Sequence, residues 1–322
     1  MKARVLYFEA PRRIEIREQD VSEPGEGEVR IETELSAISA GTELLLYRGQ
    51  VPHGTILDES LSSLSGTVGY PLAYGYAVVG RVASGDLLGR RVFAFETHRS
   101  SFLARPEELH LIPEDVPSES AVLLPTVETA VGLVHDARPL MGERVLVVGQ
   151  GVVGLVTTAL LSRFPLARLV TVDLWEPRRR LSVELGAARS VSPEELDERD
   201  FDLTFEVSGS PEALDVALAA TGFEGRVIAG SWYGDKRASL DLGTHFHRGR
   251  LSIQSSQVSR LSSHLLGRWT KERRMKVALD AVAGLPVRDL VSHRFPIERA
   301  ADAYRLLDES PKDCLQVLLT YT

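Results

Sequence analysis

Three glycines, Gly149, Gly151 and Gly154, stand in the spacing G-x-G-x-x-G within RVLVVGQGVVGLVTTALL. The chemistry that this spacing serves is the binding of a pyrophosphate. The first glycine allows a tight turn, the second lets the backbone approach the phosphates, and the third lets helix and strand pack closely. An apolar strand precedes the glycines and an apolar helix follows. The phosphates would therefore meet a helix N-terminus, where amide groups and the dipole favour anions. Asp173 ends the next apolar run, ARLVTVD. A carboxylate there can accept hydrogen bonds from both adenosine-ribose hydroxyls and repels a 2′-phosphate, which favours NAD over NADP. Arg178, Arg179 and Arg180 oppose that preference, since a guanidinium accommodates a phosphate. The cofactor-binding set read from these stretches is Gly149, Gly151, Val152, Val153, Gly154, Asp173 and Arg178, joined by Ser208, Gly230 and Ser231 after two later strands. A glycine-bearing turn without a ligand is the plain alternative.

The elements around this turn alternate. RVLVVG, ARLVTVD, FDLTFEVSG and GRVIAGSW read as strands, while VVGLVTTALLSR, PRRRLSVELG and PEALDVALAAT read as helices. Such alternation predicts a doubly wound parallel sheet covered on both faces, an α/β Rossmann domain over residues 121–267. The first 120 residues differ: short, partly alternating runs are punctuated by Pro and Gly, as in a β-barrel or sandwich. A helix at KERRMKVALDAVAG, another at IERAADAYRLLDE and a last strand, CLQVLLTY, follow residue 268 and return to that β-rich domain.

Composition narrows the function classes. Of 322 residues, 43% are hydrophobic and 25% charged, and the formal net charge is −8, which suits a soluble globular protein and gives no basic face for nucleic acid. No run of 18 apolar residues predicts a membrane span. The N-terminus, MKARVLYFEAPRR, lacks a long apolar core, so the expectation is a cytoplasmic protein acting on a small molecule. The single cysteine, Cys314, excludes an intrachain disulfide and any multi-cysteine zinc site.

Taken end to end, the chain resembles the medium-chain dehydrogenase/reductases, in which a GroES-like barrel domain (here 1–120 and 268–322) frames a Rossmann domain. GYPLAYGYAVVGRV resembles the family's Gly-His-Glu segment, ERVLVVGQGVVGL its nucleotide turn and CLQVLLTY its final strand. SAISAGTELLLYRG together with GYPLAYGYAVVG is similar to the bacteriochlorophyllide hydroxyethyl dehydrogenases. What the resemblance implies is altered by three departures. Ala40 stands where zinc members carry a cysteine ligand, Gly75-Tyr76-Ala77 replaces Gly-His-Glu, and the four-cysteine lobe is absent. The third ligand place lies near Thr126 and Glu128. Methyl and phenol groups do not hold zinc as thiolate and imidazole do, so no zinc is expected; a displaced site using Glu43, His98 and Glu128 is the competing reading.

Hydride chemistry belongs to the nicotinamide, and without zinc another group must polarise the substrate oxygen. The resemblance offers Thr42 as the relaying hydroxyl, Glu43 as the acid behind the former metal, Tyr76 in the former histidine place, and His98 as a histidine able to reach the cleft. Thr42, Tyr76 and His98 are the catalytic candidates. The blander readings are a helix cap for Thr42, a space-filling ring for Tyr76 and a satisfied loop histidine for His98. Three functions compete: a zinc-independent NAD(H)-dependent oxidoreductase of an alcohol or ketone, an enone or quinone reductase, and a non-catalytic dinucleotide-binding protein. A last strand within residues 250–258 is expected to pair with its twin in a homodimer.

Overall fold

The computed structural model describes residues 1–321. The chain forms two compact units, Thr126–Ala281 and a second made of Met1–Pro125 with the segment from Val282 onward; the sequence reading divided the chain at 120/121 and 267/268.

The central unit is a six-stranded parallel sheet. Its spatial order is Arg189–Val191, Arg168–Val172, Arg144–Val148, Phe201–Glu206, Thr221–Ala229 and Ser252–Ser255. In chain terms the order runs third, second, first, fourth, fifth, sixth, so the direction of winding reverses beside the first strand. That strand, Arg144–Val148, explains the two covered faces. Leu146 and Val148 enter one apolar core with Leu214 and Ala217 of the helix Pro211–Ala220. Val145 and Val147 enter the other, with Leu133 of the helix Leu124–Ala137 and Leu161 of the helix Val152–Leu161. Alternate side chains of one strand thus feed opposite cores, and both must be apolar.

The β-rich unit carries a three-stranded antiparallel sheet of Arg13–Asp20, Lys2–Ala10 and Leu72–Ala73, and a seven-stranded mixed sheet built around Val29–Ile38. The strand Val29–Ile38 pairs with Val78–Val82 on one side and with the last strand, Gln316–Thr320, on the other. That last pairing brings the end of the chain back to its beginning. Immediately after Val29–Ile38 comes the helix Ala40–Arg48, stopped by Gly49 in a left-handed conformation. Its Leu44, Leu45, Leu46 and Tyr47 are buried with Tyr304 of the helix Ala300–Glu309. The helix begins two residues before Thr42, which therefore lies inside its first turn and is not its cap. Among the described residues no helix is long and apolar enough to cross a membrane.

Candidate active site

The glycine turn joins the first strand of the central sheet to the helix Val152–Leu161. Gly149 has φ +95°, a conformation that L side chains rarely adopt, and a Cβ there would lie 2.5 Å from the Ser208 Cα. At Gly154 a Cβ would lie 1.9 Å from the Gly149 carbonyl oxygen, so helix and turn touch backbone to backbone. Gly151 differs in kind. A Cβ there would meet only the Arg178 Nη1, at 3.9 Å, which leaves the space a phosphate needs. Gly151 also caps the helix without any side-chain hydrogen bond, leaving the first amides, including those of Val152 and Val153, available to an anion. These residues fit a dinucleotide.

Around the turn the expected partners fall into place unevenly. Asp173 is 8% exposed; its Oδ2 accepts from the Gln150 amide at 2.7 Å and its Oδ1 from the Trp175 amide at 2.9 Å. The carboxylate thus ties the turn to the second strand, and each oxygen keeps a further lone pair for a ribose hydroxyl. The three arginines separate. Arg180 pairs with Glu176 and Arg179 donates to the Asp173 and Leu174 carbonyls, whereas Arg178 lies over the Trp175 ring at 4.2 Å, beside Gly151. Ser208 packs against Gly149, the Ser231 hydroxyl accepts from the Gly209 amide at 2.8 Å, and a Cβ on Gly230 would collide with Leu133.

A second polar cluster forms in the β-rich unit. The Tyr76 hydroxyl donates to the Ser39 Oγ and lies 3.4 Å from the Thr42 Oγ1. Thr42 and Tyr76 are both half-buried, and burial raises the Tyr76 phenol above its ordinary pKa, against hydrogen bonds from Ser39 and Thr42 that lower it. The phenol is therefore neutral, and able to donate, throughout the physiological range. Behind it lies Glu43, with no exposed surface. Its carboxylate takes the Ser39 amide at 2.6 Å, the His98 Nε2 at 3.0 Å and the Tyr304 hydroxyl. Three donors satisfy a buried acid that would otherwise cost several kcal/mol. Since a carboxylate only accepts, His98 carries its proton on Nε2, and its Nδ1 accepts from the Ser36 Oγ at 2.7 Å. The Ser36 hydroxyl in turn meets that of Tyr321 at 2.8 Å.

His98 corrects the sequence reading. It was expected at a cleft as a proton donor, but it is fully buried with both ring nitrogens engaged. Gly75 accounts for how closely it is held: with φ +120°, a Cβ at that position would lie 2.7 Å from the His98 ring. The ring thus wedges behind the turn that carries Tyr76. Ser39 is the residue that sequence reasoning missed. Its signal is a serine directly before a helical run, at the N-cap position of the helix Ala40–Arg48.

The donor set does not fit the zinc that the resemblance brings to mind. Ala40 offers no donor atom, Tyr76 is committed to hydroxyls, and Glu43 is committed to three hydrogen bonds. Glu128, in the central unit, is paired with the buried Arg274, which donates through Nε at 3.0 Å and Nη2 at 2.8 Å. Among the described residues no group of three His, Cys, Asp or Glu is placed to hold a metal ion.

No family model matches the chain. Curated relatives nevertheless align with it almost end to end. An L-threonine 3-dehydrogenase of Stenotrophomonas maltophilia is 25% identical, over 96% of this chain and 97% of its own. A 2-desacetyl-2-hydroxyethyl bacteriochlorophyllide A dehydrogenase of Cereibacter sphaeroides is 24% identical, over 100% of this chain and 99% of its own. Among solved structures, a short chain alcohol dehydrogenase of E. coli CFT073, complexed with NADH, superposes with a TM-score of 0.78 at 20% identity, covering 99% of each chain. The six-stranded parallel sheet with its glycine turn and the β-rich unit are the two-domain fold of this solved structure, and the dehydrogenases among the relatives support an oxidoreductase. These likenesses fit the medium-chain dehydrogenase/reductase superfamily, with a bacteriochlorophyllide dehydrogenase among the chain's relatives.

Proposed function

We propose that the chain is a zinc-independent, NAD(H)-dependent oxidoreductase that interconverts an alcohol and a ketone on a small molecule. One observation carries the reading. Hydroxyls of Ser39, Thr42 and Tyr76 converge where the resemblance would place metal ligands, and a buried acid, Glu43, holds the Ser39 amide. The bound nicotinamide supplies or accepts the hydride. The protein's part is to hold the substrate oxygen and manage its proton. In the reducing direction the Tyr76 phenol turns its proton from Ser39 to the substrate oxygen, stabilises the alkoxide as it develops and passes it that proton to give the alcohol, and a proton from solvent restores the phenol. Ser39 and Thr42 then donate to the phenol oxygen, so no buried hydroxyl is left without a partner.

The choice of NAD(H) rests on Asp173, and it is open to a direct test. A carboxylate facing a 2′-phosphate in a partly buried pocket costs more than about 1.4 kcal/mol, which is about tenfold in affinity. Wild-type protein titrated by fluorescence is expected to bind NADH at least about tenfold more tightly than NADPH, and Asp173→Ala is expected to narrow that ratio while weakening both. Tighter binding of NADPH to the wild type would reject this preference and point to Arg178 as the dominant contact.

The assembly we propose is a homodimer through residues 250–258. Ser252–Ser255 is the outermost strand of the central sheet, and Ile253 on it is exposed. An uncovered edge of this kind invites pairing with a second copy across a two-fold axis. Sedimentation at micromolar concentration is expected to give the dimer mass; a monomer there, or a dimer unaffected by Ile253→Lys, would exclude this strand as the interface.

A further inference from the structure

A charged residue ends the fourth strand of the central sheet, in FEVSG, where only apolar side chains are expected. Glu206 has no exposed surface. Its Oε1 accepts twice from Ser208, from the amide at 2.8 Å and the hydroxyl at 2.6 Å, and its Oε2 accepts from the Tyr233 hydroxyl. Neighbouring bonds tie the same short segment down. The Gly209 amide donates to Ser231, and the Lys236 ammonium donates to the Gly209 carbonyl at 2.5 Å. The segment's other side is the glycine turn. The Ser208 backbone fills the place a Cβ on Gly149 would take, and Val207 lies 3.3 Å from the corresponding point on Gly154.

We propose that Glu206 is a positioning residue for the dinucleotide turn. Its carboxylate draws Ser208 down so that the Ser208 backbone braces Gly149, and Tyr233 holds the carboxylate from the far side. Burial, and then the hydrogen bond to the Glu206 carboxylate, push the Tyr233 phenol far above its ordinary pKa, so it stays a donor at every working pH. Without this strut Ser208 relaxes toward the hole. The amides at the start of the helix Val152–Leu161 then lose their pre-set geometry, and the cost appears in affinity for the dinucleotide. The inference rests on the reading that this turn takes NAD(H).

The test uses NADH as the probe on the full chain, with Kd from fluorescence titration and unfolding temperature measured without cofactor. Glu206→Ala is expected to weaken NADH by about tenfold or more, the loss that follows when buried donors lose their acceptor. Glu206→Gln is expected to restore the affinity to within about threefold, because an amide oxygen still accepts from Ser208 and the amide nitrogen still meets the Tyr233 oxygen. Tyr233→Phe is expected to weaken NADH about threefold to tenfold and keeps the proposal testable if Glu206→Ala does not fold. A merely structural role would lower the unfolding temperature and leave the Kd of the folded variants unchanged; that result, for either Glu206→Ala or Tyr233→Phe, overturns the proposal. Wild-type protein that binds no NADH overturns the cofactor reading itself, a different outcome.

Discussion

Tyr76→Phe is expected to lower turnover about a hundredfold while leaving NADH affinity within about twofold of the wild type. Removing one hydrogen-bond donor from a developing oxyanion typically costs about a hundredfold to a thousandfold, or about 2.7–4 kcal/mol. The substitution isolates the hydroxyl, because the ring keeps its edge-on contact with Tyr74 at 6.1 Å. What disappears is the donation to Ser39 and the approach to Thr42. Thr42→Val is expected to act in the same direction. If the hydroxyls work as a unit, the double variant will fall short of the product of the two single effects. Steady-state kinetics with any carbonyl substrate that oxidises NADH, paired with NADH titration, separates the possibilities. A phenylalanine variant with wild-type turnover would mean that the Tyr76 ring only fills space.

Gly154→Ala is expected to have a comparably large effect by another route. Its new methyl would lie 1.9 Å from the Gly149 carbonyl oxygen, a backbone atom that cannot rotate away. Helix and turn must then separate, and overpacking of this kind costs about 1–3 kcal/mol or more. In a domain of this size each kcal/mol lowers the unfolding temperature by about 2–4 °C. The separation also moves the turn that approaches the phosphates, so NADH binding is expected to weaken by more than about tenfold. Calorimetry and fluorescence titration check the two parts, and an alanine variant with unchanged stability and affinity would show that the close contact at Gly154 is dispensable.

The glycine turn was legible in the sequence because its physics is local. Spacing alone dictates which residue turns, which approaches a ligand and which packs, and the tightest contact, of Gly154 with the Gly149 carbonyl, lies within the same loop; the contact of Gly149 with Ser208 does not and left no local signal. The strand and helix runs around it were legible for the same reason, since alternate residues of Arg144–Val148 must all be apolar when both faces are covered. The second cluster was legible only in part. The resemblance points to Thr42 and Tyr76 but not to Ser39, which the Tyr76 hydroxyl also meets. His98 was misplaced because its partners are remote, 62 residues away at Ser36 and 55 at Glu43. Tyr304, 261 residues from Glu43, left no local signal at all. Burial of a polar residue is decided by such distant partners, and FETHRS reads as an ordinary polar stretch without them. Asp173 was recognised as an acid at the cofactor site, yet its grip on the Gln150 amide was not foreseeable, since two separate loops must meet to make it.

Metal independence is the central claim, and chelation tests it most directly. Purified enzyme is assayed for NADH-linked reduction of a panel of ketones, enones and quinones, before and after exhaustive treatment with a strong chelator, with zinc content measured on the same samples. The account predicts well below one zinc per chain at the start and the same turnover on ketones after treatment, because Ser39, Thr42 and Tyr76 need no metal to hold the substrate oxygen. Stoichiometric zinc, lost together with activity and restored together with it, would contradict the account.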